Sequence, residues 1–205
     1  QGVSQLSKTI AENTATPILY ETRLADGTRI RMPKALYNLY AVIYKNLNDP
    51  AMVMQHVQES FWPNWTSMPD IMANYGEQFQ DGQPGRNGFL SELQMISNQF
   101  INFTFNSESF MEAQLGQWVP GGVVSGSRTF LHIGKVSGTY VGAKQGAFLD
   151  VQPNPEFRFK DVLSIEVHNL VRDTKDNGEW KIRSTFRSTD WMSAFTQIKN
   201  SKATL

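Results

Sequence analysis

Few side chains in this sequence are suited to moving a proton. There are three histidines, no cysteine, and 19 carboxylates against 19 Lys and Arg. Asp161 has the most telling spacing. Phe157, Phe159, Leu163 and Ile165 stand two apart on its own parity, so in a strand one polar residue interrupts an apolar face. A carboxyl group placed there is suited to general acid or base work in enolisation, ring closure or dehydration. The competing readings are that this parity is wrong, or that Asp161 forms a structural ion pair with Arg128 or Arg158. His132 shares parity with Phe130 and reads either as a base or as a hydrogen-bonded core histidine. His56 falls on a helix that would bring it near Trp62. His168 is placed near a hairpin end, in solvent. Arg128, between Ser127 and Thr129, either points inward to hold a carboxylate or enolate oxygen or outward into water. Trp62, Trp65, Tyr75, Phe79 and Tyr140 make an aromatic set suited to a flat apolar ligand, or to plain packing. There is no His-x-x-x-His and no carboxylate cluster, so no metal site is expected.

The elements that must position these residues follow from periodicity. Asp26-Gly27 between two short β-favouring runs predicts a hairpin. Pro33 opens a helix with Leu36, Leu39, Tyr40, Ile43 and Tyr44 on one face. Asn48-Asp49-Pro50 ends it and starts a second, carrying Met52, Val53, His56, Val57 and Phe61. Phe61-Trp62-Pro63-Asn64-Trp65 reads as a turn because proline stops the helix. A third helix spans Gly88 to Phe103. The period then becomes that of strands: Phe103 to Ala113, Val123 to Ile133, Lys135 to Val141, Phe157 to Val167, and Trp180 to Phe186 after an Asp176-Asn177-Gly178 turn. Asp190-Trp191 caps a last helix to Lys199. Helices followed by an antiparallel series predict an α+β domain, a curved sheet with three N-terminal helices packed across it. The cone so formed is open at one end, a common ligand site.

Composition excludes several classes. The chain has 205 residues, formal net charge zero, 40% hydrophobic and 12% aromatic residues, enough for one domain with a deep core. Charge balance argues against nucleic acid as a partner, and no apolar run reaches membrane-spanning length. There is no phosphate-binding glycine motif and no Gly-x-Ser-x-Gly elbow. A start at Gln1 reads as a processed or trimmed chain, soluble, and either cytoplasmic or exported after signal removal.

Four segments, taken in order, resemble one family. They are Phe61-Trp62-Pro63-Asn64-Trp65; Gly88-Phe89; Gly138-Thr139-Tyr140-Val141-Gly142; and Lys160-Asp161-Val162 with Asn177-Gly178-Glu179-Trp180-Lys181-Ile182, Asp190 and Gln197-Ile198. Over residues 34–198 the chain resembles the nuclear-transport-factor-two-like superfamily, and within it the SnoaL-like polyketide cyclases. It departs from them at Tyr140, where the family segment carries a histidine, and at Gln152-Pro153-Asn154-Pro155, which replaces a Pro-Thr-Gly turn. The first 33 residues are additional. The resemblance implies a functional acid in the strand that holds Asp161.

The expectations that follow are a 1–33 arm with hairpin, a 34–198 cone and a 199–205 tail. The expected function is cofactor-independent isomerase, cyclase or dehydratase chemistry on an apolar carbonyl compound. Asp161 and His132 would be catalytic, with Trp62, Trp65, Tyr75, Phe79, Arg128 and Tyr140 around the ligand. The alternative is a non-catalytic binding or dimerisation module of the same shape. Apolar residues on both strand parities predict a homodimer through the outer sheet face.

Overall fold

Asp26 and Gly27 turn the chain as their types require. The Asp26 carboxylate accepts from the Thr28 amide at 2.8 Å, and Gly27 takes φ +88°, a region closed to most side chains. The hairpin pairs β1 (Leu19–Arg23) with β2 (Arg29–Pro33). The Ala25 amide donates to the Ser107 carbonyl at 2.7 Å, which seats the hairpin on the edge of the main sheet. These relations come from a computed structural model that describes residues 17–68, 85–113, 126–142, 158–175 and 178–200.

Pro33 leads directly into α1 (Lys34–Tyr37), a single turn that widens into a π-helical segment over Asn38–Ile43. The Tyr44 amide reaches back five residues to the Leu39 carbonyl at 3.1 Å. Such widened turns recur at functional sites. Here Leu36, Leu39, Tyr40, Ile43 and Tyr44 are all buried. Asp49 caps α2 (Pro50–Ser60) by accepting from the Met52 amide at 3.0 Å. The turn expected at Phe61-Trp62-Pro63-Asn64-Trp65 is instead strand β3 (Phe61–Met68), parallel to β7 (Glu179–Thr189). Pairing resumes only at Thr66, so the register shift spans Pro63, and β3 is an edge strand. That is where a residue without an N–H is tolerated. The third helix, α3 (Arg86–Gln99), buries Phe89, Leu93 and Ile96 and runs straight into β4 (Phe100–Ala113). The strand pieces expected around Ile133 and Lys135 are one strand, β5 (Arg128–Tyr140), followed by β6 (Arg158–Asp173), β7 (Glu179–Thr189) and α4 (Trp191–Asn200).

The sheet order is β3-β7-β6-β5-β4, with every pair antiparallel except β3 with β7. The chain is thus an α+β fold, and its core joins the helix stripes to Phe105, Phe130, Val136, Phe159, Val162, Leu170 and Ile182 on the inner sheet face.

One local irregularity decides which residues face that core. Gly138 pairs with Phe159 but Val136 pairs with Val162, so β6 carries an extra residue at Lys160–Asp161. Asp161 adopts φ +56°, one of two positive-φ residues other than glycine among the described residues, and aspartate tolerates that region better than most. The bulge is held from both sides. The Asp161 amide donates to Ser137 Oγ at 3.0 Å, and the Gln197 side chain both accepts from the Lys160 amide and donates to its carbonyl, at 2.8 and 3.1 Å. Beyond it the parity of β6 is reversed. Val162, Ser164, Glu166 and His168 are buried, whereas Leu163 is 45% exposed and Asp161 is exposed. The expected inward Asp161 is therefore corrected: it sits on the outer side of a bulge, and its carboxyl is not in the core.

Candidate functional site

With the parity reset, β5, β6 and β7 place a polar row on the inner face. His132 pairs across from Glu166, and Glu166 across from Arg187. One row away, His168 lies opposite Thr185. From the helical side, Tyr40 and Tyr44 reach the same point because the widened turn brings both inward. The Tyr40 hydroxyl contacts Glu166 Oε2 and lies 2.5 Å from His168 Nε2. Tyr44 Oη donates to Glu166 Oε1 at 3.2 Å and accepts from Arg187 Nη2 at 2.8 Å. Arg187 Nε donates to Glu166 Oε1 at 2.5 Å, and its Nη1 binds Glu92 of α3. His168 Nδ1 meets Thr185 Oγ1 at 3.0 Å, which accepts from the Trp65 indole N–H at 3.1 Å.

The donors can run in one direction. An indole N–H only donates, so Thr185 can pass its own proton toward His168 Nδ1, His168 Nε2–H toward Tyr40, and Tyr40 O–H to Glu166. The electrostatics fit a carboxylate at the end of that chain. Burial by itself would raise the Glu166 carboxyl, but Arg187 and the hydrogen bonds from His168 and Tyr40 outweigh burial and hold it well below the carboxylate range. Burial, reinforced by Glu166, pushes the Tyr40 phenol well above 10, and burial likewise raises Tyr44. Burial opposes the charge on Arg187, but Glu166 and Glu92 dominate and keep it a cation.

His132 is the exception in this satisfied network. It is fully buried, yet among the described residues neither ring nitrogen has a hydrogen-bond partner. Its ring packs 3.7 Å from the Tyr40 ring, centre to centre, and is stacked on Phe105 at 5.0 Å and 17°. Gly134 makes room for that stack, since a β-carbon there would lie 2.2 Å from the Phe105 ring. Burial pushes the His132 imidazole down to about 3, against an opposing pull from Glu166. At neutral pH the ring is uncharged, with one nitrogen donor and one nitrogen acceptor.

The other expected site residues are distributed differently. Arg128 is half-buried near the end of β5. Its guanidinium stands over Phe130 and Trp180 and forms a two-pronged pair with Glu112, both contacts at 2.6 Å. Trp65 is buried against Phe61 and Phe89, Trp62 is half-buried on β3, and Tyr140 is buried beside Phe100. Tyr75 and Phe79 lie outside the described residues. His168, expected in solvent, is fully buried. Sequence reasoning missed Glu166, Tyr40, Tyr44, Arg187 and Glu92 as a group. A signal was present: Ser164, Glu166 and His168 stand two apart in one strand, and Thr185, Arg187 and Thr189 two apart in its hairpin partner. Among the described residues, no group of three or more His, Asp or Glu side chains is placed to hold a metal ion, and no helix is long and apolar enough to cross a membrane.

No family model matches the chain, and no curated protein matches it in sequence. Solved structures do match in fold. TsrD from Streptomyces laurentii superposes with a TM-score of 0.50 at 13% identity, covering 80% of this chain and 92% of that one. IdmH from Streptomyces antibioticus, named as a candidate polyketide cyclase, gives 0.49 at 14% identity, covering 81% and 99%. An uncharacterised protein with a cystatin-like fold from Caulobacter vibrioides gives 0.45 at 10% identity, covering 76% and 84%. At 13% identity the likeness to TsrD is one of fold alone, and the α+β class is the one expected from the sequence.

Proposed function

We propose that the cone performs cofactor-independent proton transfer on an apolar, carbonyl-bearing small molecule, of the kind used in isomerisation, cyclisation or dehydration. The observation that carries this reading is His132. Leaving a buried polar group unpaired costs about 1–3 kcal/mol, and folded proteins rarely do so. A ring with both nitrogens unpaired, aimed into an aromatic interior, is suited to meet a polar atom of a ligand. Its depressed basicity keeps it unprotonated until it takes a proton from the substrate. The Glu166 carboxylate on the next strand then stabilises the imidazolium, while Tyr40 stays a neutral donor beside it.

The test follows α-proton exchange of 2-tetralone in D2O by NMR. His132→Gln is expected to slow the protein-dependent exchange about a hundredfold, the range of general acid–base catalysis, with an unchanged circular dichroism spectrum. Asp161→Asn is expected to leave it unaltered. Equal exchange by wild type and His132→Gln would sink the reading in favour of a binding module.

A homodimer through the outer face belongs to the same reading. Met111, Leu131, Val167 and Phe186 align across β4, β5, β6 and β7 on the face opposite His132. Met111 is 47% exposed, and the other three are only half-buried. A second copy presenting the same band would cover it with two-fold symmetry. Light scattering should return twice the chain mass of 23.2 kDa, and Leu131→Glu should return the monomer. A wild-type monomer at every concentration rejects the dimer.

A further inference from the structure

We propose that His168 is a positioning residue for proton transfer at His132. It carries its one ring proton on Nε2 and donates it to Tyr40, which holds the phenol as a donor to Glu166 and its ring against His132. Trp65, Thr185, His168, Tyr40 and Glu166 stand in series, and all of them are buried. Burial leaves their protons no water to turn to, so the order of donors has to close within the series.

Only one order closes. The Tyr40 hydroxyl and Glu166 Oε2 are in contact, and a carboxylate oxygen only accepts, so the proton between them belongs to Tyr40. Tyr40 is then an acceptor toward His168 Nε2 at 2.5 Å, which places a proton on Nε2. At the other end the Trp65 indole donates to Thr185 Oγ1 at 3.1 Å and occupies one of its lone pairs. Among the described residues, the other side-chain partner of that hydroxyl is His168 Nδ1 at 3.0 Å. Thr185 therefore donates there, and Nδ1 carries no proton. The reverse order sets two bare oxygens against each other at Tyr40 and Glu166. A doubly protonated ring leaves the Thr185 hydroxyl without an acceptor. The ring is thus neutral, although its Nε2 is 3.2 Å from Glu166 Oε2, and Arg187 is the cation that faces the carboxylate. The Tyr40 ring lies 3.7 Å from the His132 ring, centre to centre. The bond that fixes the Tyr40 oxygen therefore also fixes the surface on which His132 rests.

The order is read without any variant, from long-range proton–nitrogen correlations of the histidine-labelled full chain at neutral pH. His168 is expected to show a protonated Nε2 and a bare Nδ1. The Tyr40 hydroxyl proton is expected as a slowly exchanging downfield signal. His168→Gln offers an amide N–H in place of Nε2–H, and should keep that signal and recover most of the 2-tetralone exchange rate. His168→Leu fills the space without a donor. It should lose the signal and lower kcat for the exchange about tenfold with KM little changed, as displacement of a catalytic group does. A proton on Nδ1, alone or in an imidazolium, overturns the assignment. Equal behaviour of His168→Gln and His168→Leu overturns the positioning role. The activity arm rests on the proton-transfer reading of the cone. If the wild type drives no exchange, that reading fails by itself, and the hydroxyl signal in the two variants decides this one.

Discussion

Arg187→Met is expected to lower stability by about 3 kcal/mol or more, the usual result of removing one partner of a buried ion pair. For a chain of this size that is a fall in melting temperature of roughly 10 °C. Arg187 is 13% exposed and Glu166 1% exposed, and the same guanidinium also binds Glu92. The loss is large because Glu166 stays behind. Its carboxylate keeps Tyr40 and Tyr44 but loses the cation that chiefly offsets its burial. Two further measurements separate this cause from lost packing. The wild-type carboxyl is held below its ordinary value, so its contribution is present above about pH 4.5 and declines as pH falls through the carboxyl range. The variant's carboxyl takes up a proton more readily, so the difference between the two proteins should narrow on acidification. The double variant Arg187→Met with Glu166→Gln should recover part of the loss, since no buried charge is then left unpaired. A difference that is constant with pH, with no recovery, would show that only packing was lost.

A second large effect concerns acid stability. The His132 ring titrates at about 3 in the folded chain and near 6.5 when unfolded. A depressed folded value means that the unfolded chain binds the proton first. Stability is therefore full above about pH 6.5 and falls as pH drops toward 3, by up to ~1.4 kcal/mol per pH unit. Between pH 6.5 and 4.5 the Glu166 carboxyl does not contribute, and the His132 loss over this window is about 2 kcal/mol. His132→Phe keeps the stack on Phe105 and removes the titration. Its urea midpoint is expected to be about flat across that window, while the wild-type midpoint falls. Parallel slopes for the two proteins would mean that the His132 ring is hydrated or paired in solution, and that its unpaired state does not persist.

The architecture was legible because it rests on residue periodicity over long segments. The Asp26-Gly27 hairpin, the apolar face from Leu36 to Tyr44 and the order of helices before strands each depend on many residues agreeing. The site was not legible because it depends on two single-residue insertions. The bulge at Lys160–Asp161 has no hydrophobic signature, since Phe159, Leu163 and Ile165 continue the apparent alternation through it. What sustains it is distant: Ser137 on β5 and Gln197 on α4. The widened turn after Tyr37 likewise leaves the three- and four-residue spacing intact while bringing Tyr40 and Tyr44 to one carboxylate. Pro63 misled in the opposite direction, because a proline forbids a central strand but not the edge position that β3 occupies.

The bulge also sets a condition on how this chain is compared with others. Across β6, a one-residue offset exchanges the faces of the sheet. A cone without the extra residue would therefore align its inward positions with Leu163, Ile165 and Val167 if no gap were opened between Phe159 and Val162. Every functional carboxylate transferred by such an alignment would land on the outer surface, and Glu166 would be scored as an unremarkable exposed position. Ancestry and active-site inference for proteins of this shape thus depend on where that single gap is placed.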